Sequence, residues 1–202
     1  MSSFAPGKTI VESRNGFSSE KADVLITETF GAWALAEGAA TELAQCIDTN
    51  LKDNARLIPS HIQFHITPLQ KCPKILLHPF RLREDGLDLS PMQNEAYLRS
   101  ENMLIKPTLP SKMVARLALR ENNFSTGITL EQDIEALGLH FTLELTPDIF
   151  LPTGPKDPPT HWKQTVIAST LSAGEHTIAA HPSSEDRRTL LLELDNHSYR
   201  VR

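Results

Sequence analysis

Apolar residues recur at two different periods along this chain. Near the start, Val24-Leu25-Ile26-Thr27 is a near-continuous apolar run, which predicts a short buried strand of the central parallel kind; Ile10-Val11 predicts another before it. Gly31 then permits a tight turn. Ala40, Leu43, Ala44, Ile47 and Leu51 follow at helical spacing, and Asp53-Asn54 marks the end of that helix. The order strand, turn, helix reads as the tail of an α/β sheet. From Pro59 onward the period becomes two. Ile62, Phe64 and Ile66 alternate with His61, Gln63 and His65, and Leu139, Phe141, Leu143 and Leu145 alternate with His140, Thr142, Glu144 and Thr146. Further strands are expected at Met113–Arg120, Ile128–Glu131, Lys163–Ala168, Thr177–Ala180, Thr189–Leu194 and Ser198–Val201. Many short strands with turns between them imply a barrel or a sandwich. One insert departs from this pattern: Ser90 is a helix-capping residue with Pro91 behind it, which predicts a short helix near residues 91–101.

Composition narrows the reading only a little. The chain has 202 residues, enough for one domain or for one domain and part of another. Its net charge of −5 argues against a broad phosphate-binding face, so no direct nucleic-acid partner is expected. The stretch Met1–Lys8 lacks the apolar core of a signal peptide, and no run is long enough to cross a bilayer. A soluble protein of the cytoplasm or nucleus, with no membrane partner, is the expectation. Cys46 and Cys72 belong to no Cys-x-x-Cys pair and read as reduced thiols. His61 and His65 share a strand face; a polar sheet face explains them better than a metal, since no cysteine or third ligand lies close in sequence.

The candidate chemistry lies in two loops. Glu28 and Glu37 bracket Thr-Phe-Gly-Ala-Trp-Ala-Leu-Ala, directly after the first apolar strand. Two carboxylates on one loop can grip a guanidinium as a flat, doubly charged clamp. Far downstream, Thr160-His161-Trp162-Lys163-Gln164-Thr165 offers an imidazole and an indole that could close such a pocket. Taken singly, each feature has a bland reading: Asp23 as a turn residue, Trp33 as a packing residue, Lys163 as a solvated side chain, and His161 as a hydrogen-bonded histidine.

Together these residues resemble the protein arginine methyltransferases. In that family a strand runs into a loop with two glutamates nine positions apart, as Lys21–Glu28 and Glu37 are here. Leu57-Ile58-Pro59-Ser60 resembles the junction where the family's β-barrel begins, Arg83–Ile105 its dimerisation arm, Thr160–Thr165 its Thr-His-Trp loop, and Arg188–Arg202 its closing strands. The likeness spans about residues 10–202. Thr29 and Phe30 stand where the family has Trp-Met, and Ala32 where it has an aromatic residue, which leaves product specificity open. The family's Gly-rich cofactor loop has no counterpart: Gly7, Gly16 and Gly31 form no Gly-x-Gly. The resemblance therefore implies an α+β fold, namely the C-terminal part of a Rossmann-like methyltransferase sheet (residues 1–57) followed by a β-barrel (residues 58–202) with a short helical arm at about 83–105.

What the resemblance implies about activity is methyl transfer from S-adenosylmethionine to an arginine guanidinium nitrogen, with the cofactor-binding half supplied by another chain. Glu28, Glu37 and His161 would be catalytic, and Trp162 and Thr160 would bind substrate. A free guanidinium is a poor nucleophile because its charge is delocalised. Carboxylates that draw that charge toward two nitrogens leave the attacking nitrogen richer in electrons. The implied partners are an arginine-containing protein or peptide, and a homodimer mate or a chain that supplies the cofactor half. The alternative is a non-catalytic barrel or dimerisation module, or a truncated inactive homologue.

Overall fold

The computed structural model describes residues 21–73, 76 and 100–201. The expected strand at Ile10-Val11 lies outside them, as does most of the Arg83–Ile105 arm. The described part is mostly β-sheet. It opens with strand β1 (Ala22–Ile26), helix α1 (Ala39–Asn50) and strand β2 (Leu51–Ile58). β1 and β2 pair in parallel, Val24 with Arg56 and Ile26 with Ile58, so the helix is the crossover of a βαβ unit. Ala39, Ala40, Leu43 and Ile47 form the buried stripe of α1, as the helical spacing predicts. The helix stops at Asn50 rather than at Asp53-Asn54, because Leu51 turns extended and starts β2. In β2 Lys52, Asp53 and Asn54 are exposed, so no alternation marks the strand in the sequence.

Ten further strands follow: β3 (His61–Leu69), β4 (Ser100–Met103), β5 (Lys112–Ala118), β6 (Phe124–Leu130), β7 (Ile134–Thr146), β8 (Ile149–Pro152), β9 (Gln164–Leu171), β10 (Gly174–Pro182), β11 (Leu190–Leu194) and β12 (His197–Val201). Ser100 and Glu101, placed in a helix by the sequence reading, belong to β4, which pairs with β9. The strands form a sheet of order β4-β9-β7-β3-β5, with β8 on β7, and a second of order β12-β11-β10-β6. The sheets meet along two edges, where β5 runs beside β6 and β12 beside β4.

The core follows the period-two pattern. Ile62, Phe64 and Ile66 of β3 are fully buried, and so are Leu137 and Leu139 of β7; β9 departs from the pattern, because it is covered on both faces and the adjacent Val166 and Ile167 are both fully buried. Each such side chain contributes about 1.5–3 kcal/mol by leaving water. The register sets Ile62 opposite Leu143, Phe64 opposite Phe141 and His65 opposite His140. On the other face, Glu144 is buried yet satisfied: Arg116 donates to both of its oxygens at 2.7 Å, and Gln63 Nε2 donates to Oε1 at 2.7 Å. The Arg116 hydrogen bonds hold the Glu144 carboxyl down at about 2, against the pull of its burial.

Candidate functional site

The loop from Glu28 to Gly38 is short, buried and held in unusual backbone geometry. Trp33, Ala34 and Glu37 have positive φ of 44°, 63° and 62°. Left-handed residues with a Cβ cost about 1–2 kcal/mol each, so such a turn persists only where its surroundings impose it. Here they do. Gly31 and Ala34 exchange backbone hydrogen bonds at 3.0 and 3.1 Å. Gly31 must be glycine, because a Cβ there would stand 2.3 Å from the Ala36 carbonyl oxygen. Ala32, Trp33, Ala34, Leu35 and Ala36 are all buried. Trp33 packs edge-on to Phe64 and Phe124, and its Nε1 donates to the His140 carbonyl at 3.1 Å. Trp33 is thus a packing residue, and the loop is riveted into the sheet's core.

Only the ends of the loop face solvent. Glu28 and Glu37 are exposed, and the buried segment between them fixes where each begins. Glu37 is tied down on both sides: its N–H donates to the Arg188 carbonyl at 2.8 Å, and its Oε1 accepts from Ala32 N at 3.3 Å. It also precedes α1, where the helix dipole favours a negative charge.

The second loop meets the first. Trp162 Nε1 donates to the Phe30 carbonyl at 2.7 Å, a bond between positions 132 residues apart. Trp162 packs against Phe141, which packs against Phe30, so an aromatic row underlies the junction. The exposed His161 ring lies tilted against Trp162, its centroid 4.1 Å away. Lys163 is exposed and takes a φ of 54° as its N–H closes on the Thr160 carbonyl at 3.2 Å. The Thr160 hydroxyl is buried without a hydrogen-bond partner. The structure therefore brings Trp162, and His161 on top of it, onto the loop that carries Glu28 and Glu37. Among the described residues no hydrogen bond or ion pair links Glu28, Glu37 and His161 to one another.

Sequence reasoning missed three contributors: the carbonyls of Phe30, His140 and Arg188. Backbone acceptors leave no trace in residue types, so no motif could have shown them. Two cavities, of about 540 and 230 Å³, lie elsewhere: the first is lined by β6, β10 and Asp195, the second by residues that include Pro68, Leu109 and Ile134. The larger carries an exposed pair in which His176 Nδ1 lies 2.7 Å from Asp195 Oδ2. Its size does not make it the chemical centre, because it contains none of the loop residues. His65 stacks on His140 at 5.1 Å. Among the described residues no group of three or more metal-ligating side chains comes together, and no helix is long and apolar enough to cross a membrane. Nor do the described residues include a glycine-rich loop that could cradle a nucleotide.

Comparison with solved structures decides the fold. The chain is similar to PRMT1 in the enzyme–prozyme heterotetrameric complex of Trypanosoma brucei with AdoHcy, at 17% identity and a TM-score of 0.70, over 92% of this chain and 70% of that one. The chain has a protein arginine methyltransferase-like fold. It is also similar to protein arginine methyltransferase 10 of Arabidopsis thaliana (17% identity, TM-score 0.63, 91% of this chain and 70% of that one). A structure of PRMT6 matches at 19% identity and a TM-score of 0.59, over 85% of this chain and 67% of the other. No family model and no curated protein matches the sequence. The methyltransferase-like fold is thus legible in backbone geometry while overall sequence similarity stays low.

Proposed function

We propose that this chain is the substrate-gripping part of a protein arginine N-methyltransferase-like protein, active when a cofactor-binding half completes it. The observation that carries the reading is the 2.7 Å bond from the Trp162 indole to the Phe30 carbonyl, which docks the Thr-His-Trp loop on the double-glutamate loop. In this reading Glu28 and Glu37 clamp the guanidinium, each charge-assisted hydrogen bond being worth about 1.5–3 kcal/mol when shielded from water. His161 assists from the facing loop, Trp162 walls the substrate side chain, and Thr160, with its unpartnered hydroxyl, contributes a polar contact. S-adenosylmethionine, bound by the completing half, would furnish the methyl group. The described residues include no glycine-rich loop for that cofactor, so every role assigned to them concerns the arginine.

Residues 1–57 would then belong to the later part of a Rossmann-like methyltransferase domain, and 58–202 to a substrate-binding β-barrel with a dimerisation arm at about 83–105. The parallel βαβ unit supports the first part. So does the exposure of Val24 at 47% and Ile26 at 74%, because parallel strands are ordinarily covered on both faces. The meeting of the two sheets along β5–β6 and β12–β4 supports closure into a barrel.

The test is transfer of labelled methyl to an arginine-rich peptide after mixing this chain with a cofactor-domain partner. Transfer should need both proteins and should fall at least a hundredfold with Glu28→Gln or Glu37→Gln. Transfer that ignores both substitutions would refute the assignment. A second reading, a non-catalytic companion of a complete enzyme, draws on the enzyme–prozyme complex of the Trypanosoma brucei relative. It predicts that the chain raises the activity of a complete enzyme equally well with Glu28→Gln and Glu37→Gln in place.

A further inference from the structure

The β10–β11 connection, residues 183–189, is folded into a compact ring. Ser183 N donates to the Thr189 carbonyl and Thr189 N to the Asp186 carbonyl, both at 2.9 Å. Ser183 Oγ accepts from the backbone N–H groups of Glu185 and Asp186 at 3.2 and 3.3 Å. Asp186 ties the ring from within: Oδ1 accepts from Arg188 N at 3.0 Å, and Oδ2 accepts from Thr189 Oγ1 at 2.8 Å. Thr189 is 3% exposed, so the ring is seated on the core. The outward product of this bonding is one aimed carbonyl, that of Arg188, and it accepts the Glu37 N–H at 2.8 Å. Beside it the Arg187 carbonyl lies 3.8 Å from where a Cβ of Gly38 would be. Glu37 and Gly38, at φ 62° and 94°, are the left-handed pair that turns the chain from the loop into α1.

We infer that the 183–189 ring is a positioning device for Glu37, with Asp186 as its organising residue. A glutamate with a Cβ does not hold a left-handed backbone unaided. The Arg188 carbonyl holds it by occupying its N–H, and so sets the direction in which the Glu37 side chain leaves the loop. The significance for arginine binding rests on the proposed clamp role of Glu37; the mechanical link does not.

Hydrogen exchange at individual amides, measured on the full chain, tests the link, and affinity for a glycine-flanked arginine peptide tests its consequence. Asp186→Ala should speed exchange at the Glu37 amide about tenfold or more, beyond any change at the β11 amides, and weaken the peptide several-fold. Asp186→Asn keeps the Oδ1 acceptor and offers Thr189 Oγ1 an amide donor, so it should restore both. An unchanged Glu37 amide in Asp186→Ala would overturn the inference. So would equal acceleration across β10 and β11 that asparagine fails to rescue, since that is the mark of a merely structural ring. If the unsubstituted chain binds no peptide while the amide responds as expected, the clamp reading fails and the positioning link stands.

Discussion

β1 and β9 look alike in sequence and live in opposite surroundings. Val24-Leu25-Ile26 and Val166-Ile167 are both apolar runs of the kind found in fully buried strands. In β9, Val166 and Ile167 point to opposite faces and both are fully buried, Ile167 in the main core and Val166 in a second apolar cluster with Leu69, Ile105 and Ala136. In β1 the only partner among the described residues is β2, and Val24 and Ile26 stand 47% and 74% exposed. The difference teaches that an apolar pattern records what a strand is built to be covered by, within its own chain or by another. A parallel pair with a bare apolar face is marginal in water. On the proposed function, β1 is the seam where the completing half docks.

The sharpest way to break this comparison is to truncate each strand in turn. Ile167→Ala should cost about 2–5 kcal/mol in urea unfolding, since it empties a packed site. A second large effect should come from acid. Burial pushes the His140 imidazole down to about 4, and the stacked His65 adds to the shift. The folded chain therefore refuses a proton that the unfolded chain accepts. Stability should be full above pH 6.5 and drain by about 3 kcal/mol as pH falls toward 4. Unfolding at a series of pH values checks this, and His140→Gln should flatten the slope. Glu144 titrates lower, near 2, so its contribution is lost in a separate, more acidic window.

Next comes the junction of the two loops. Trp162→Phe keeps the aromatic row and removes the donor to Phe30, and should cost about 1 kcal/mol. Its local mark should be faster exchange in residues 160–163 with β9 unchanged. Smallest of all, Ile26→Ala should change the stability of the isolated chain by no more than about 0.5 kcal/mol. The same substitution should weaken association with a cofactor-domain partner, as titration calorimetry would show. A loss at Ile26 as large as that at Ile167 would mean that β1 is already covered within this chain.

Much of this was legible in the sequence, and the rest was not, for physical reasons. The alternation in β3 and β7 stands out because Ile62, Phe64 and Ile66, and likewise Leu139, Phe141 and Leu143, are buried in succession on one face. α1 was visible through Ala40, Leu43 and Ile47. β2 was not, since most of its residues are exposed or half-exposed and its pairing with β1 is parallel and non-local. β4 and β8, with four residues each, are too short to show a period. At the candidate site the residue types of Glu28, Glu37, His161 and Trp162 were readable. The left-handed backbone at Trp33, Ala34 and Glu37, and the carbonyls that hold the loops, are products of tertiary packing and leave no local signature.

The central claim is that the two loops make a grip for a guanidinium. Calorimetric titration of the chain with an arginine peptide, and with the same peptide carrying citrulline, tests it most directly. Citrulline keeps the shape and removes the charge. The account predicts binding of the arginine peptide alone, weakened at least tenfold when Glu28 and Glu37 are both changed to glutamine. Equal binding of the two peptides, or arginine binding untouched by the double substitution, would contradict it.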